Sequence, residues 1–358
     1  MENTAKMKCA SILIASGLLF GAGAAHAADL VFVSSGGTFQ AAQNDAFVNP
    51  YAKETGKEVT SVAQGGSLAG RIKAMVEAGD VQWDVVEVER GDYLTLLKEN
   101  LVEPIDYSVF DKATLDAIKP EFREPNGIVA LLYAYGIAYR TDLGKDKHPQ
   151  SWQEFWDLDK FPGPRALPAG SSPTPPWEAA LLASGKSLTN LYPLDFDAAK
   201  ESLSKIRPSV SLWYDDTAAG VQSLVSGNVD YASLPNGRVV KAKGDGAKVD
   251  FDYGQAFLLT DYFVVPKGSP HKAEAMKFIA YASQARQSAA LMKAVPYSMP
   301  NADALKLLDP AYAKSLPTDP ENLAKTLKLS DTYWGEKSPD GKSWQQYGIG
   351  QWNEWYAQ

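Results

Sequence analysis

Residues 129–139 read VALLYAYGIAY, an unusually long run of apolar and aromatic side chains. Such a run predicts either one buried strand or a strand that leaves one sheet and enters a second. The residues before it alternate between strand and helix, with glycine turns between them, and we expect these elements at 29–34, 39–55, 58–63, 68–78, 84–89 and 91–100. This order predicts parallel strands with right-handed crossovers, and therefore a doubly wound sheet.

The composition changes after this run. Residues 149–176 are rich in Pro, Gly, Ser and Trp, and a second alternating series then begins. We expect strands at 210–213, 230–234 and 261–266, and helices at 217–226, 236–243 and 271–281, with Asp216 as the N-cap of the first of these helices. The fold class is therefore α/β, with two doubly wound lobes joined by crossing hinge strands near 135–139 and 260–264. The predicted division is a first lobe at 28–137, a second lobe at 138–261, a return to the first lobe at 262–308, and a C-terminal helical segment at 309–358 that packs mainly on the second lobe.

The first 27 residues have the features of an export signal. Lys6 and Lys8 precede an apolar run at 10–20 that is too short to span a bilayer, and Ala25-His26-Ala27 supplies small residues where a signal peptidase cleaves. We therefore expect cleavage after Ala27 and an exported mature chain.

Charge and residue counts exclude several classes of function. Among 358 residues, 35 are basic and 43 are acidic, giving a formal charge of −8, which disfavours binding to nucleic acid or to an anionic membrane. Cys9, the single cysteine, lies inside the predicted signal, and His148 and His271 are isolated in sequence. We expect no thiol chemistry, no metal site and no cofactor.

Motifs for catalysis are incomplete. The Gly-Lys-Ser at 185–187 resembles the end of a phosphate-binding loop, but Ala180 stands where the first glycine is required. The Gly-Gly-Ser-Leu-Ala at 65–69 lacks the second glycine of a nucleophile elbow. Neither motif is complete, so the sequence offers no mechanism for an enzymatic function.

Candidate ligand contacts follow from the rule that open α/β sheets bind ligands at the carboxyl ends of their strands. An arginine suits a carboxylate, an aspartate suits an amine, and aromatic rings form walls. The candidates are Thr38, Phe39, Glu87, Glu89, Ser172, Trp177, Trp213, Tyr214, Arg238, Asp261 and Tyr262.

The order and spacing of several short motifs resemble the periplasmic solute-binding proteins of ABC importers, in the group that includes the spermidine/putrescine receptors. The motifs are Asp84-Val85-Val86 after Trp83, Ser151-Trp152 with Phe155-Trp156, Asn236-Gly237, residues 261–266, and Val295-Pro296-Tyr297 with Met299-Pro300-Asn301. The resemblance implies a fold like that of the type II periplasmic binding proteins, a monomer, capture by closure of the cleft, and delivery to an inner-membrane ABC permease.

Departures from the polyamine receptors point to a different ligand. The loop 169–177 contains no acid, Pro235 and Leu259 stand where those receptors have aromatic rings, and Arg238 is a poor neighbour for a dication. Arg238 with Asp261 resembles the pair in γ-aminobutyrate (GABA)-binding relatives. The resemblance therefore implies a small zwitterion, with its carboxylate on Arg238 and its ammonium on Asp261.

Three alternatives stay open at this stage. A polyamine would use Asp261, Glu87 and Glu89 as its carboxylates. A ligand with only a carboxylate would use Arg238, with Asp261 on a hydroxyl. An exported enzyme with its active site between the lobes is the alternative from a different class.

Overall fold

A computed structural model describes residues 28–144, 148–170, 176–330 and 332–358. The predicted signal and its cleavage site lie outside the described residues, and so does Ser172. Within the described part of the chain, no helix has both the length and the apolar character needed to cross a bilayer.

The described residues form ten β-strands. In chain order they are β1 Leu30–Ser34, β2 Val59–Ala63, β3 Val85–Glu89, β4 Arg123–Glu124, β5 Gly127–Arg140, β6 Arg165–Pro168, β7 Val210–Tyr214, β8 Tyr231–Pro235, β9 Val249–Val264 and β10 Leu327–Lys328.

The helices flank the sheet. In chain order they are α1 Gly37–Gln43, α2 Asn49–Thr55, α3 Ala69–Ala78, α4 Arg90–Lys98, α5 Lys112–Ala117, α6 Trp152–Trp156, α7 Trp177–Ala183, α8 Phe196–Ile206, α9 Thr217–Val225, α10 Asn236–Gly244, α11 Lys272–Ala282, α12 Ala285–Ala294, α13 Pro310–Ala313, α14 Pro320–Lys325 and α15 Trp344–Tyr356. A π-helical turn, Asn44–Val48, joins α1 to α2.

The strands of the described residues form one sheet in the order β2-β1-β3-β9-β5-β8-β6-β7, with β4 beside β5 and β10 beside β9. Strand β1 is parallel to β2 and β3, and β6 is parallel to β7 and β8. Strands β9 and β5 lie between these two parallel groups and run antiparallel to each other. Strand β9 is also antiparallel to β3, and β5 is also antiparallel to β8. Two parallel α/β units therefore share a central antiparallel ribbon, which confirms the predicted fold class.

Apolar packing is divided in the same way. One core takes its residues from 30–132 and 262–316 and includes the rings of Phe32, Phe47 and Phe278. The other two clusters take theirs from 134–257, and one of them adds Tyr333, Trp352 and Trp355 from the C-terminal segment. The residue bounds of the two lobes stay a prediction.

Most predicted elements match the structure within a few residues. Asp216 caps α9 as expected, because its side chain accepts a hydrogen bond from Ala218 N at 2.9 Å. The strand predicted at 261–266 is wrong in its start, since β9 begins at Val249. Its first half contains Asp250, Asp252 and Gly254, so it lacks the apolar pattern that indicates a strand.

The ribbon of β5 and β9 has a break near its middle. Its register shifts between Tyr135 and Ile137, and on β9 Gln255 adopts a positive φ of 58°. Trp152 holds this kink, since its backbone N and its indole Nε1 donate to Gln255 Oε1 and O at 2.9 and 3.0 Å. A Cβ on Gly136 would lie 2.7 Å from Ala256 Cβ, so the close approach requires glycine.

We predict that Gly136→Ala lowers the free energy of unfolding by about 1–3 kcal/mol, because the new methyl group overpacks the ribbon. The matched control is Gly70→Ala on α3, where no described atom lies within 4 Å of the added Cβ. The control gains helix propensity and stays as stable as the parent or slightly more so. Urea denaturation measures both, and equal stability of the two variants would contradict the packing argument.

Candidate functional site

Three carboxylates lie on one face of the sheet where β3 meets β9. The antiparallel register places Glu89 opposite Asp261 and Glu87 opposite Phe263. Side chains two residues apart on a strand share a face, and directly opposed residues also share a face. Glu87, Glu89 and Asp261 therefore form an acidic face, and among the described residues none of them has an ion-pair partner.

Asp261 has the least favourable electrostatic environment of the three carboxylates. Its Oδ1 atom is buried and has no hydrogen-bond partner. Burial raises the pKa of the Asp261 carboxyl well above its ordinary value, and the negative charges of Glu87 and Glu89 raise it further. A positive group placed here would relieve both effects.

Glu87 lies at the point where the apolar core ends and the acidic face begins. Its Oε2 accepts hydrogen bonds from Ser34 Oγ at 2.8 Å and from Gln43 Nε2 at 2.6 Å. Burial raises the pKa of Glu87 to about 7, although both hydrogen bonds favour the ionised form. Glu89 is exposed at the end of β3. Partial desolvation of its carboxyl by the surrounding protein still raises its pKa, and the negative charge of Asp92 raises it further.

Three aromatic rings stand beside the acidic face. The rings of Phe39 and Tyr133 both make edge contacts with Tyr297, with centroids 6.0 and 6.1 Å away. A bridge in which Leu132 N donates to Ser298 O at 2.7 Å holds Tyr297 against β5. Burial and the charges of Asp261 and Glu89 raise the pKa of Tyr133, which places its hydroxyl close to the acids.

The turn between β1 and α1 positions Phe39. Gly36 and Gly37 have φ values of 81° and 62°, which glycine adopts without strain. This turn carries Thr38, which is exposed, and Phe39, which is half-buried. Thr38 and Phe39 were both predicted as site residues, and the ring of Phe39 contacts the ring of Tyr297.

Arg238 lies in the first turn of α10. Asn236 fixes the start of this helix, because its Oδ1 accepts from Ala134 N at 2.8 Å and its Nδ2 donates to Pro296 O at 3.1 Å. Gly237 is in contact with the Tyr297 ring, since a Cβ there would meet Cε1 at 2.2 Å. Arg238 is exposed, and within the described residues it has no hydrogen bond or ion pair.

The ring of Tyr297 lies within the electrostatic reach of both ends of the site. Burial raises the pKa of the Tyr297 hydroxyl, the Arg238 charge lowers it, and the Asp261 charge raises it. An unpaired cation and an unpaired anion therefore lie near the same ring. Tyr297 and Tyr133 were not predicted as site residues, although Tyr297 belongs to one of the motifs that carry the family resemblance.

Three predicted site residues lie away from the acidic face. Trp177 is fully buried against Phe196 and Trp352, and Trp213 packs on Trp352 and Trp355. Tyr214 is buried, and its hydroxyl is 2.7 Å from the Tyr135 hydroxyl, so it supports a neighbour of Tyr133. The role of these three residues as walls of the ligand site stays a prediction.

Tyr262, a fourth predicted site residue, also lies away from the acidic face. It adjoins Asp261 on a strand, so its side chain points to the opposite face of the sheet. Its ring stacks on Tyr93 at 4.2 Å, and its hydroxyl donates to Glu124 Oε1 at 3.1 Å. On that face it lines a cavity of about 990 Å³ with Leu258 and Thr260, which contains neither Arg238 nor Asp261.

The acidic face does not have the geometry of a metal site. Among the described residues, no group of three or more His, Cys, Asp and Glu side chains is placed to hold a metal ion. The arrangement instead offers one anionic end, one cationic end and an aromatic wall between them, which suits an organic ligand carrying both charges.

Known proteins resemble this chain over nearly its whole length. A family model for "Bacterial extracellular solute-binding protein" matches residues 46–324. A gamma-aminobutyric acid-binding protein of Pseudomonas aeruginosa is 34% identical over 326 residues, covering 89% of this chain and 90% of that protein. The spermidine/putrescine-binding periplasmic protein 1 of Haemophilus influenzae is 25% identical over 313 residues, covering 85% and 84%. A solved GABA receptor is 35% identical with a TM-score of 0.77, covering 92% of this chain and 97% of that one.

The unpaired Asp261 carboxylate leads to a stability prediction. We expect Asp261→Asn to raise the free energy of unfolding of the ligand-free protein by about 1–3 kcal/mol at pH 8, because it removes a buried charge without a partner. The raised pKa means that the folded state binds the proton more tightly than the unfolded state. The gain therefore shrinks as the pH falls toward the ordinary pKa of aspartate.

Urea denaturation at pH 8 and pH 4.5 tests this prediction. Asp116→Asn is the control, since its carboxylate is exposed and pairs with Lys112 on the surface of α5. An Asp261→Asn protein no more stable than the parent at pH 8 would show that the carboxylate has a partner in solution.

Proposed function

The chain belongs to the family of bacterial extracellular solute-binding proteins, and we propose that it is a periplasmic receptor for a small zwitterionic amino acid of the GABA type. Arg238 binds the carboxylate, Asp261 binds the ammonium, and closure of the lobes presents the ligand to an inner-membrane ABC permease. The observation that carries the proposal is the pair of unpaired opposite charges, Arg238 and Asp261, which both act on the hydroxyl of Tyr297, with Gly237 beside Arg238 in contact with that ring.

The chemistry of the two ends supports this class of ligand. A guanidinium binds a carboxylate through two parallel hydrogen bonds, and an ammonium supplies the donor that Asp261 Oδ1 lacks. The methylene chain of such a ligand lies against Phe39, Tyr133 and Tyr297, whose rings exclude water from both charged contacts. The similarity to a GABA-binding protein of P. aeruginosa agrees with this assignment.

A polyamine is the second candidate, because Glu87, Glu89 and Asp261 together offer more negative charge than one ammonium requires. The similarity to a spermidine/putrescine-binding protein favours it as well. Against it stands Arg238, since a second ammonium near an unpaired guanidinium costs about 4 kcal/mol at 4 Å with an effective dielectric constant near 20.

Calorimetric titration of the purified, ligand-stripped protein with GABA and, separately, with putrescine decides between the two candidates. The ligands have similar length and differ in the charge of one end. We expect GABA to bind with micromolar affinity or tighter, about −8 kcal/mol, and putrescine not to bind. Binding of putrescine alone would mean that Arg238 does not face the ligand. Conversion of GABA to a product over hours would support an exported enzyme instead.

Removal of the guanidinium tests its role directly. We expect Arg238→Ala to weaken GABA binding by about 2–5 kcal/mol, roughly 30- to 5,000-fold, because the ligand carboxylate is then buried without a partner. The control is Arg286→Ala, which removes another exposed arginine, at the start of α12. An unchanged dissociation constant for Arg238→Ala would refute the assignment.

A further inference from the structure

Glu87 is a buried carboxylate that the proposed contacts between Arg238, Asp261 and the ligand do not explain. Only one of its two oxygens is satisfied: Oε2 accepts from Ser34 and Gln43, while Oε1 is buried and has no hydrogen-bond partner. Its side chain is 8% exposed, so solvent does not replace the missing donor. An unsatisfied buried carboxylate is costly, and a role in the binding site accounts for its presence.

The groups that surround Glu87 carry no compensating positive charge. From β1 and the first helical stretch it meets the neutral Ser34 and Gln43, and from β9 the phenyl ring of Phe263 and the carboxylate of Asp261. From its own strand it shares a face with Glu89, whose further neighbour is Asp92. Among the described residues, no Lys, Arg or His pairs with it.

We propose that Glu87 is a specificity-determining residue for the cationic end of the ligand. Glu87 and Asp261 form a buried carboxyl pair that retains a proton while the site is empty. When an ammonium binds at Asp261, the O–H bond of the protonated carboxyl breaks, both carboxylates remain ionised, and the proton passes to solvent. Capture of the zwitterion is therefore accompanied by proton release. This inference rests on the proposed function, since it requires a ligand with a positive end at Asp261.

The physical basis is the repulsion between buried like charges. Burial raises the pKa of Glu87 to about 7, and the charge of Glu87 adds to the burial that holds the pKa of Asp261 well above its ordinary value. A positive charge between them reverses the sign of the local potential, so the complex holds both carboxylates ionised. A neutral ligand end offers no such compensation, and the site selects against it.

Proton release makes the affinity depend on pH. While the ligand-free pair holds a proton, each bound ligand must expel it, so affinity rises with pH, by up to tenfold per unit. Once both carboxyls are ionised in the ligand-free protein, the affinity levels off. GABA therefore binds more tightly at pH 8 than at pH 6.

The test is calorimetry with GABA at pH 6.5 in phosphate and in imidazole, two buffers with different enthalpies of ionisation. The difference between the observed enthalpies gives the number of protons released, and we expect the wild type to release protons. Glu87→Gln keeps an oxygen to accept from Ser34 and Gln43, has no proton of its own to lose, and no longer raises the pKa of Asp261 by its charge. It therefore releases fewer protons than the wild type, and its affinity for GABA depends less on pH.

Glu178→Gln is the matched control. Glu178 is another buried glutamate whose pKa burial raises to about 7, and it accepts hydrogen bonds from Tyr192 and Trp334 at 3.0 and 2.8 Å. It lies on α7, among the residues of the other core. This variant removes a group that titrates in the same range, and it should release the same number of protons on binding GABA as the wild type.

The outcomes separate the two proposals. If the wild type does not bind GABA, the proposed function fails and this inference fails with it. If GABA binds without proton release, or if Glu87→Gln releases as many protons as the wild type, this inference alone is wrong. If Glu87→Gln does not fold, calorimetric titration of the wild type with butyrate, which lacks the amine, tests the inference instead. We expect butyrate to bind weakly and to release no proton, and equal release by GABA and butyrate would overturn the role of Glu87.

Discussion

The antiparallel pairing of β5 with β9 is the constraint on which the rest of the molecule depends. These strands pair from Ile128 opposite Phe263 to Arg140 opposite Val249, and they lie between the two parallel groups of the sheet. Their register places Tyr133 and Asp261 on one face, because side chains alternate along each strand. A slip of one residue would send Asp261 to the face that now carries Tyr262. The fold and the site are thus fixed by the same set of backbone hydrogen bonds.

The charges of this face do not favour the stability of the ligand-free protein, as expected of a ligand-binding site. Three carboxylates lie together without a described cation, and Arg238 is exposed without a described anion. In a structure optimised for stability these groups would pair or be replaced by apolar residues. Sites built for binding commonly carry such unfavourable contacts, which the ligand relieves. The same argument explains why Asp261 and Glu87 retain protons more strongly than ordinary carboxyls do.

Sequence patterns predicted the alternation of strands and helices, the α/β class, and the two charged residues on which the proposal depends. They did not predict the first half of β9, whose polar residues hide a strand, or the role of Tyr133 and Tyr297. Tyr262 lies on the opposite face of the sheet from Asp261 because side chains alternate along a strand, a signal that was present in the sequence. The packing of Trp177 and Trp213 could not be predicted from the sequence, because their partners Trp352 and Trp355 lie far along the chain. Long-range packing of that kind leaves no local pattern.

The most direct test of the central claim, that Arg238 and Asp261 bind the two ends of one zwitterion, is a crystal structure of the protein with GABA. The account predicts that the ligand carboxylate lies within about 3 Å of the Arg238 guanidinium and that the ammonium contacts Asp261. The chain of the ligand would pass between the rings of Phe39, Tyr133 and Tyr297. A ligand bound with its ammonium toward Arg238, or bound away from Asp261, would contradict the account.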